Sequence, residues 1–260
     1  MKRKQKTLDQ AFGVKTKKGE PGLVAVAKYY PGKNIPFMDG FKPILIHVKG
    51  THLGAALSPY TMKNEQGMIL ENVWQFSKLY EFVTPQKISM SRWQKDRIIW
   101  EHPGELHLKE DTPTEEYWKW REKGMNNPFA VRYPNGFHGR RKCKFSLFLN
   151  KDTGEWERLN YIESRKKIYC AEYARLVHNY QDFADLKDLV ENGQNVMLIE
   201  VDGPDPELSY APYDQISRDS PGLIMNEDTI RMLVNDERKP FGHGYTIAAL
   251  LLGGEEWLNN

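Results

Sequence analysis

Cysteine is scarce in this chain of 260 residues, which holds only two, Cys143 and Cys170. So few exclude a disulfide scaffold, and their wide separation excludes a CxxC zinc or redox motif. The expected home is a reducing, intracellular compartment, nucleus or cytoplasm for a eukaryotic or viral source. Long apolar runs are missing too. No stretch approaches the ~20 apolar residues of a membrane helix, so no membrane partner is expected. The N-terminus is basic and polar and lacks the apolar segment of a secretory leader. Several catalytic signatures are also absent: GxxxxGK[ST], GxGxxG after a strand, GxSxG and HExxH. The seven His residues show no tight ligand spacing; His102 and His107 stand five apart around a Pro-Gly bend. The sequence therefore predicts neither a metal nor a cofactor.

What is present is aromatic content. Mean hydropathy is -0.67, but 7 Trp, 13 Tyr and 11 Phe are enough to build a core and exclude a wholly disordered chain. A net charge of +2 hides an asymmetry: residues 1–18 hold seven basic groups against Asp9, a local +6, which leaves the rest at -4. Positive charge belongs to the tail, and the body is not a basic nucleic-acid-binding domain.

The composition predicts a flexible basic tail over 1–22 and one domain over 23–260. LVAVAKYY (23–30), KPILIHVKG (42–50) and NVMLIEV (195–201) read as strands, and FSLFLNKDTGEWERLNY (145–161) as a hairpin turning near Asp152-Thr153-Gly154. Helices are predicted at 71–82, 88–100, 114–123, 162–180 and 181–192. Another runs from an Asn226 N-cap to about Val234, and a last, mostly apolar one covers 243–258. Residues 216–223 read as a loop. The predicted fold is α+β, a predominantly helical single domain with short strands.

The 71–82 helix carries the most chemistry. Glu71, Gln75 and Lys78 fall at i, i+4 and i+7, so a carboxylate, an amide and an ammonium share one face. Val73, Phe76 and Tyr80 would pack inward. The same spacing also describes an ordinary solvated stripe, because Glu, Gln and Lys are common helix formers. A carboxylate at the helix N-terminus stays ionised in the helix dipole, and it can activate a water or stabilise a cationic sugar transition state. The polar loop Leu57-Ser58-Pro59-Tyr60 precedes this helix.

The run LSPY…G-MIL-E-NVW-Q-FS-K resembles the NADAR (YbiA-like) family, which opens with an LSNF-type loop, a short strand and S-E-x-x-x-Q-x-x-K. Leu70 stands where the family has Ser. Three later segments follow the family's order: a helix from Arg165, the leucine-rich FADLKDLV, and LIEVDGPD with Glu200 and Asp205. FGHGYTIAALLL resembles its closing Gly-rich turn and helix, with His243 near the family's Asn. The resemblance covers roughly 54–82 and 160–253. Residues 84–158 have no counterpart and read as an insertion, and the family's Trp-Gly after Asp is absent, with Tyr210 or Tyr213 as substitutes.

The resemblance implies a YbiA-like domain and an N-glycosidase that cleaves a ribose–nitrogen bond in a nucleotide or an ADP-ribosylated base. It makes Glu71 and Asp205 the catalytic carboxylates, and Ser58, Tyr60, Gln75, Lys78, Arg165, Tyr210 and His243 the substrate-binding set. Each has a plainer reading as well: a helix-surface residue for Arg165, a turn residue for Asp205, a helix cap for His243. Trp93, Trp100, Tyr117, Trp118 and Trp120 read chiefly as packing, and the basic loop 132–144 as a solvated turn or a phosphate contact.

In the tail, QKTLDQAF places Gln5, Leu8 and Phe12 as in the PCNA-interacting box that binds sliding clamps; Ala11 stands where one of the two usual aromatics would be. If the tail binds a clamp, tethering makes DNA a candidate substrate; the plainer reading of the tail is a basic solubilising or nuclear-import segment. The alternative is a non-enzymatic nucleotide- or nucleic-acid-binding module recruited to a clamp. A base-modifying transferase of a replication system is a third reading, resting on the tail alone.

Overall fold

The computed structural model describes residues 19–47, 52–91, 93–217 and 220–259. The clamp-box residues Gln5, Leu8 and Phe12 lie outside them. The chain is α+β with several small sheets. It divides into two compact units, the first formed by Met1–Ser58 and Val177–Asn260, the second by Pro59–Leu176. The segment 84–158 lies wholly within the second unit, whose boundaries are wider. Among the described residues, no helix is long and apolar enough to cross a membrane.

In the first unit, strands form where the sequence is continuously apolar. A four-stranded sheet runs in the order Gly222–Ile224, Val24–Lys28, Val196–Glu200, Lys42–Leu45. The last three are parallel, with Val26 opposite Leu198 and Leu198 opposite Ile44. Gly222–Ile224 is antiparallel, with Leu223 opposite Val26. A parallel strand covered on both faces shows no polar alternation, and Val196–Glu200 is buried at every position. Ala27, Phe41, Met197 and Ile199 pack together beside the sheet. The His243–Leu251 helix, buried from Gly244 onward, packs on Val24–Lys28 and Val196–Glu200. Asn226 caps the Glu227–Asn235 helix as its residue type predicts: its Oδ1 accepts the Thr229 N–H at 2.9 Å.

Two expectations in this unit need correcting. The 216–223 loop contains the start of the Gly222–Ile224 strand, too short to show a period in sequence. The closing helix ends at Leu251, where Gly253 takes a φ of +71°. The Gly253 and Gly254 N–H groups then bond to the Leu250 and Ala249 carbonyls at 3.2 and 2.9 Å, a Schellman stop.

In the second unit the aromatics decide the fold. Phe76, Tyr80, Trp100, Tyr117 and Trp120 are each at most 1% exposed and form one core with Val83 and Leu147. Trp93 is 80% exposed and takes no part. Gly124 admits the Phe76 ring to the Glu115–Met125 helix, since a Cβ there would sit 2.0 Å from Phe76 Cδ1. Cys143–Leu149 pairs with Trp156–Leu159 in the expected hairpin and, on its other edge, with Lys78–Tyr80. The 162–180 helix runs from Tyr161 to Val177, opened by an Asn160/Glu163 capping box and interrupted by a π-helical stretch, Arg165–Cys170.

Two helix expectations fail here. The 88–100 segment is a hairpin, Gln86–Ser91 with Gln94–His102, in which Ile88 faces Trp100. Its Ile-Ser-Met-Ser alternation has period two, and that period prevails over helix propensity. The 71–82 helix spans only Leu70–Phe76, and Lys78–Tyr80 is a strand. The carbonyls that would continue the helix are taken: Arg121 Nη1 donates to Phe76 O at 3.1 Å, and Ser77 O accepts from Tyr117 Oη and Leu147 N–H.

Candidate functional site

In the second unit, Glu71 sits in the first turn of the Leu70–Phe76 helix. The loop before it is tied down by the backbone: the Glu71 N–H donates to Pro59 O at 3.1 Å and the Leu70 N–H to Met62 O at 3.0 Å. This holds the loop bearing Tyr60 against the helix start. The expected polar face is not solvated. Glu71 is 6% exposed and Gln75 4%. Leu70, Glu71, Asn72, Gln75 and Phe76 are the buried positions, while Val73, expected inside, is only half-buried.

The three spaced residues meet even though Lys78 has left the helix. Lys78 Nζ donates to Gln75 Oε1 at 3.0 Å, and Gln75 Nε2 donates to Glu71 Oε1 at 2.8 Å. An ammonium only donates and a carboxylate only accepts, so the amide between them has one workable orientation. Lys78 Nζ also lies 4.3 Å from the Trp74 ring centre.

Burial pulls the Lys78 ammonium down to about 8; Cys143 and Glu71 oppose the fall, and Arg132 and Arg140 add to it. Lys78 therefore belongs to a cationic group. Asn72 helps place that group: its Nδ2 holds the Asn127 and Phe129 carbonyls at 3.0 Å, and its Oδ1 accepts the Val131 N–H at 2.8 Å. Next along the chain, Arg132 and Arg140 both cover the Tyr133 ring, at 4.7 and 4.9 Å. Tyr133 itself has a φ of +55°, a costly conformation for a side chain of that size. Arg140 Nη1 is buried and has no hydrogen-bond partner. Arg165, expected on a helix surface in its plainer reading, is 1% exposed, over the Tyr161 ring at 4.6 Å, within the π-helical stretch. Such stretches recur at functional sites.

The first unit holds the other expected residues. Asp205 Oδ2 is shared by Lys28 and Lys239 at 3.3 and 3.5 Å. Partial burial pushes the Asp205 carboxyl up, but the Glu207 N–H and the two ammonium groups outweigh it and hold the group below its ordinary range. Tyr210 Oη donates to Asp236 Oδ2 at 3.4 Å, and the Arg238 guanidinium covers its ring at 4.0 Å. Ser58 is 1% exposed.

His243 opens the last helix. Its Nε2 faces Ile46 O at 3.2 Å and its Nδ1 faces Glu200 Oε2 at 3.0 Å. Both neighbours are acceptors, but only the Ile46 contact has hydrogen-bond geometry; both Glu200 carboxylate oxygens are buried without a hydrogen-bond partner. Glu200, buried at the end of the Val196–Glu200 strand, was not among the expected site residues. The glycines around His243 make room for it: a Cβ at Gly242 or Gly244 would meet the carboxylate at 2.2 or 2.8 Å.

No protein-family model, curated protein or solved structure matches the chain. The two carboxylate centres therefore rest on their own geometry. In the second unit a buried carboxylate is linked through one amide to an ammonium whose charge Arg132 and Arg140 disfavour electrostatically. That set can hold an anionic group and place negative charge against a developing cation. Arg140 and Tyr133 were readable only as members of a basic loop, since nothing in their spacing ties them to Lys78.

Proposed function

We propose that the protein is an N-glycosidase that hydrolyses a ribose–nitrogen bond in a phosphate-bearing substrate, a nucleotide or an ADP-ribosylated base. The observation that carries this is the buried Glu71–Gln75–Lys78 chain with Arg132 and Arg140 bearing on its cationic end. Breaking an N-glycosidic bond builds positive charge at the anomeric carbon, and the Glu71 carboxylate stabilises it or takes a proton from the attacking water. The phosphate belongs with Lys78 and Arg140, whose buried Nη1 has no hydrogen-bond partner. Asp205 and Tyr210, to which the resemblance gives sugar- or water-positioning and base-binding roles, belong to the first unit and are not part of the site proposed here. These roles and the YbiA-like fold follow from the NADAR resemblance. A sliding clamp bound through Gln5, Leu8 and Phe12, with DNA as the carrier of the base, belongs to the same proposal.

The test is mass spectrometry of released base and free sugar from a panel of N-glycosides, with Glu71→Gln as the control. The panel contains riboflavin-pathway intermediates, nucleotides and ADP-ribosyl-guanine in DNA. The expected result is release from a phosphate-bearing member, lost in the variant while binding is kept. Binding without release from any member would replace the enzyme with the clamp-recruited binding module.

A further inference from the structure

The second unit holds a polar cluster that the glycosidase reading does not use. His102 ends the Gln94–His102 strand, Glu105 opens Glu105–Leu106, and His107 follows. The tight Pro103-Gly104 turn brings them together; a Cβ on Gly104 would sit 2.9 Å from Pro85 Cδ and 3.2 Å from Phe82 Cζ. Glu105 Oε1 lies 2.7 Å from His102 Nε2 and 2.8 Å from His107 Nε2. The three donor atoms all fall within 4.8 Å of one another. Side-chain exposure is 10% for His102, 17% for Glu105 and 0% for His107.

As a hydrogen-bonded cluster this arrangement is poorly satisfied. One carboxylate oxygen faces two imidazoles, and only the His107 contact has hydrogen-bond geometry. His102 Nδ1, His102 Nε2 and His107 Nδ1 are buried without a partner. Buried polar atoms are nearly always paired, and of these three His102 Nε2, which lies 2.7 Å from Glu105 Oε1 without hydrogen-bond geometry, is the one that an ion held between the rings and the carboxylate would satisfy. The walls offer no partner: His102 stacks on Trp100, and His107 lies against Trp120 and Tyr117.

We infer that His102, Glu105 and His107 form a binding site for one divalent first-row transition metal ion, zinc being the reference case. Two imidazoles and a carboxylate suit such an ion and are poor ligands for magnesium or calcium. Metal–ligand bonds of about 2.0–2.1 Å at tetrahedral angles put donor atoms about 3.3 Å apart, so the rings would move out by about half an ångström. The fourth position falls to solvent on the side of the partly exposed Glu105. The His107 backbone carbonyl accepts the Thr114 N–H at 3.0 Å, which couples the site to the helix carrying Tyr117 and Trp120.

The experiment uses the full chain stripped with a chelator and titrated with zinc by calorimetry, then with cobalt(II) by visible absorption. One ion per chain is expected. The cobalt spectrum should be that of a low-coordinate nitrogen–oxygen site, and tryptophan emission should fall on cobalt binding because Trp100 and Trp120 line the cluster. Glu105→Gln and His102→Gln should each weaken zinc binding about 10–100-fold or more. His178→Gln, at an exposed histidine of the first unit, should leave it unchanged. His107 is fully buried, so the two less buried ligands are the informative variants, each checked for native circular dichroism. Wild-type protein that binds no ion, or folded Glu105→Gln and His102→Gln proteins that bind it as tightly as wild type, would overturn the site.

Discussion

Each unit buries a carboxylate beside a cationic or protonatable group, and the two solutions differ. Glu200 in the first unit is closed in: two glycines press on it, and both nitrogens of its partner His243 face acceptors. Glu71 in the second unit is extended through Gln75 to Lys78, and Arg132 and Arg140 add positive charge near that end. Both Glu200 carboxylate oxygens are nonetheless buried without a hydrogen-bond partner, whereas one Glu71 oxygen accepts from Gln75. Under the proposed function, a bound anion meets the positive charge at the Lys78 end. In the proposed function Glu71 carries the chemistry, while Glu200 is packed between its own strand and the start of the last helix.

The sharpest way to break the comparison is Glu71→Gln. Turnover should fall about 10²–10⁴-fold, as for loss of a positioned acid–base group, with the unfolding midpoint little changed. A variant that keeps its rate would move the chemistry elsewhere. The next largest effect belongs to the first unit. Gly242→Ala should destabilise by about 2–4 kcal/mol in denaturant titration, because its methyl overlaps the buried Glu200 carboxylate. Gly242 has a φ of -82°, open to any residue, so the overlap rather than backbone strain carries the effect.

Lys78→Met separates function from stability. The folded-state value of Lys78, about 8, lies below its ordinary 10.5. The folded protein thus disfavours the charged form, at a cost present below pH 8 and relieved as pH rises from 8 to 10.5. The full effect is at most about 3 kcal/mol, less for the solvent that still reaches a partly buried ammonium. Met should therefore leave the protein as stable or more stable at pH 7, flatten stability between pH 8 and 10.5, and weaken phosphate-bearing ligands. A destabilised Lys78→Met protein would mean that the ion chain stabilises the fold. The smallest effect is that of Asp205→Asn. Its ion pairs with Lys28 and Lys239 are partly solvated, so loss should stay under about 1 kcal/mol. The depressed carboxyl of Asp205 makes its contribution full at neutral pH and lost as pH falls through the folded-state value. Larger loss would make it a structural ion cluster.

The two units also differ in how much of them could be read in advance. The first was legible because its strands are continuous apolar runs and its Glu227–Asn235 helix carries a strong cap at Asn226. The second was half legible. Its Cys143–Leu149 hairpin followed from the turn residues Asp152-Thr153-Gly154, and its Glu115–Met125 helix was expected from Thr114, whose side chain proves to be the cap, accepting the Tyr117 N–H at 3.3 Å. Its 88–100 hairpin was not legible from propensity, because Arg, Gln, Lys and Trp in that stretch suit either state; the short Ile-Ser-Met-Ser alternation was the one strand signal.

The sequence alone determined which residues can meet locally: Glu71, Gln75 and Lys78 stand a turn apart, and a turn's reach survives even the change from helix to strand at Ser77. It determined the apolar strands and the caps, because those depend on neighbours within a few residues. Tertiary structure decided what surrounds them. It buried the Glu71 face, brought Arg132 and Arg140 to bear on Lys78, set Glu200 between two glycines, and gathered His102, Glu105 and His107 against an aromatic wall. Those outcomes depend on which apolar surfaces exclude water together, and desolvation is a property of the packed chain that no local spacing contains.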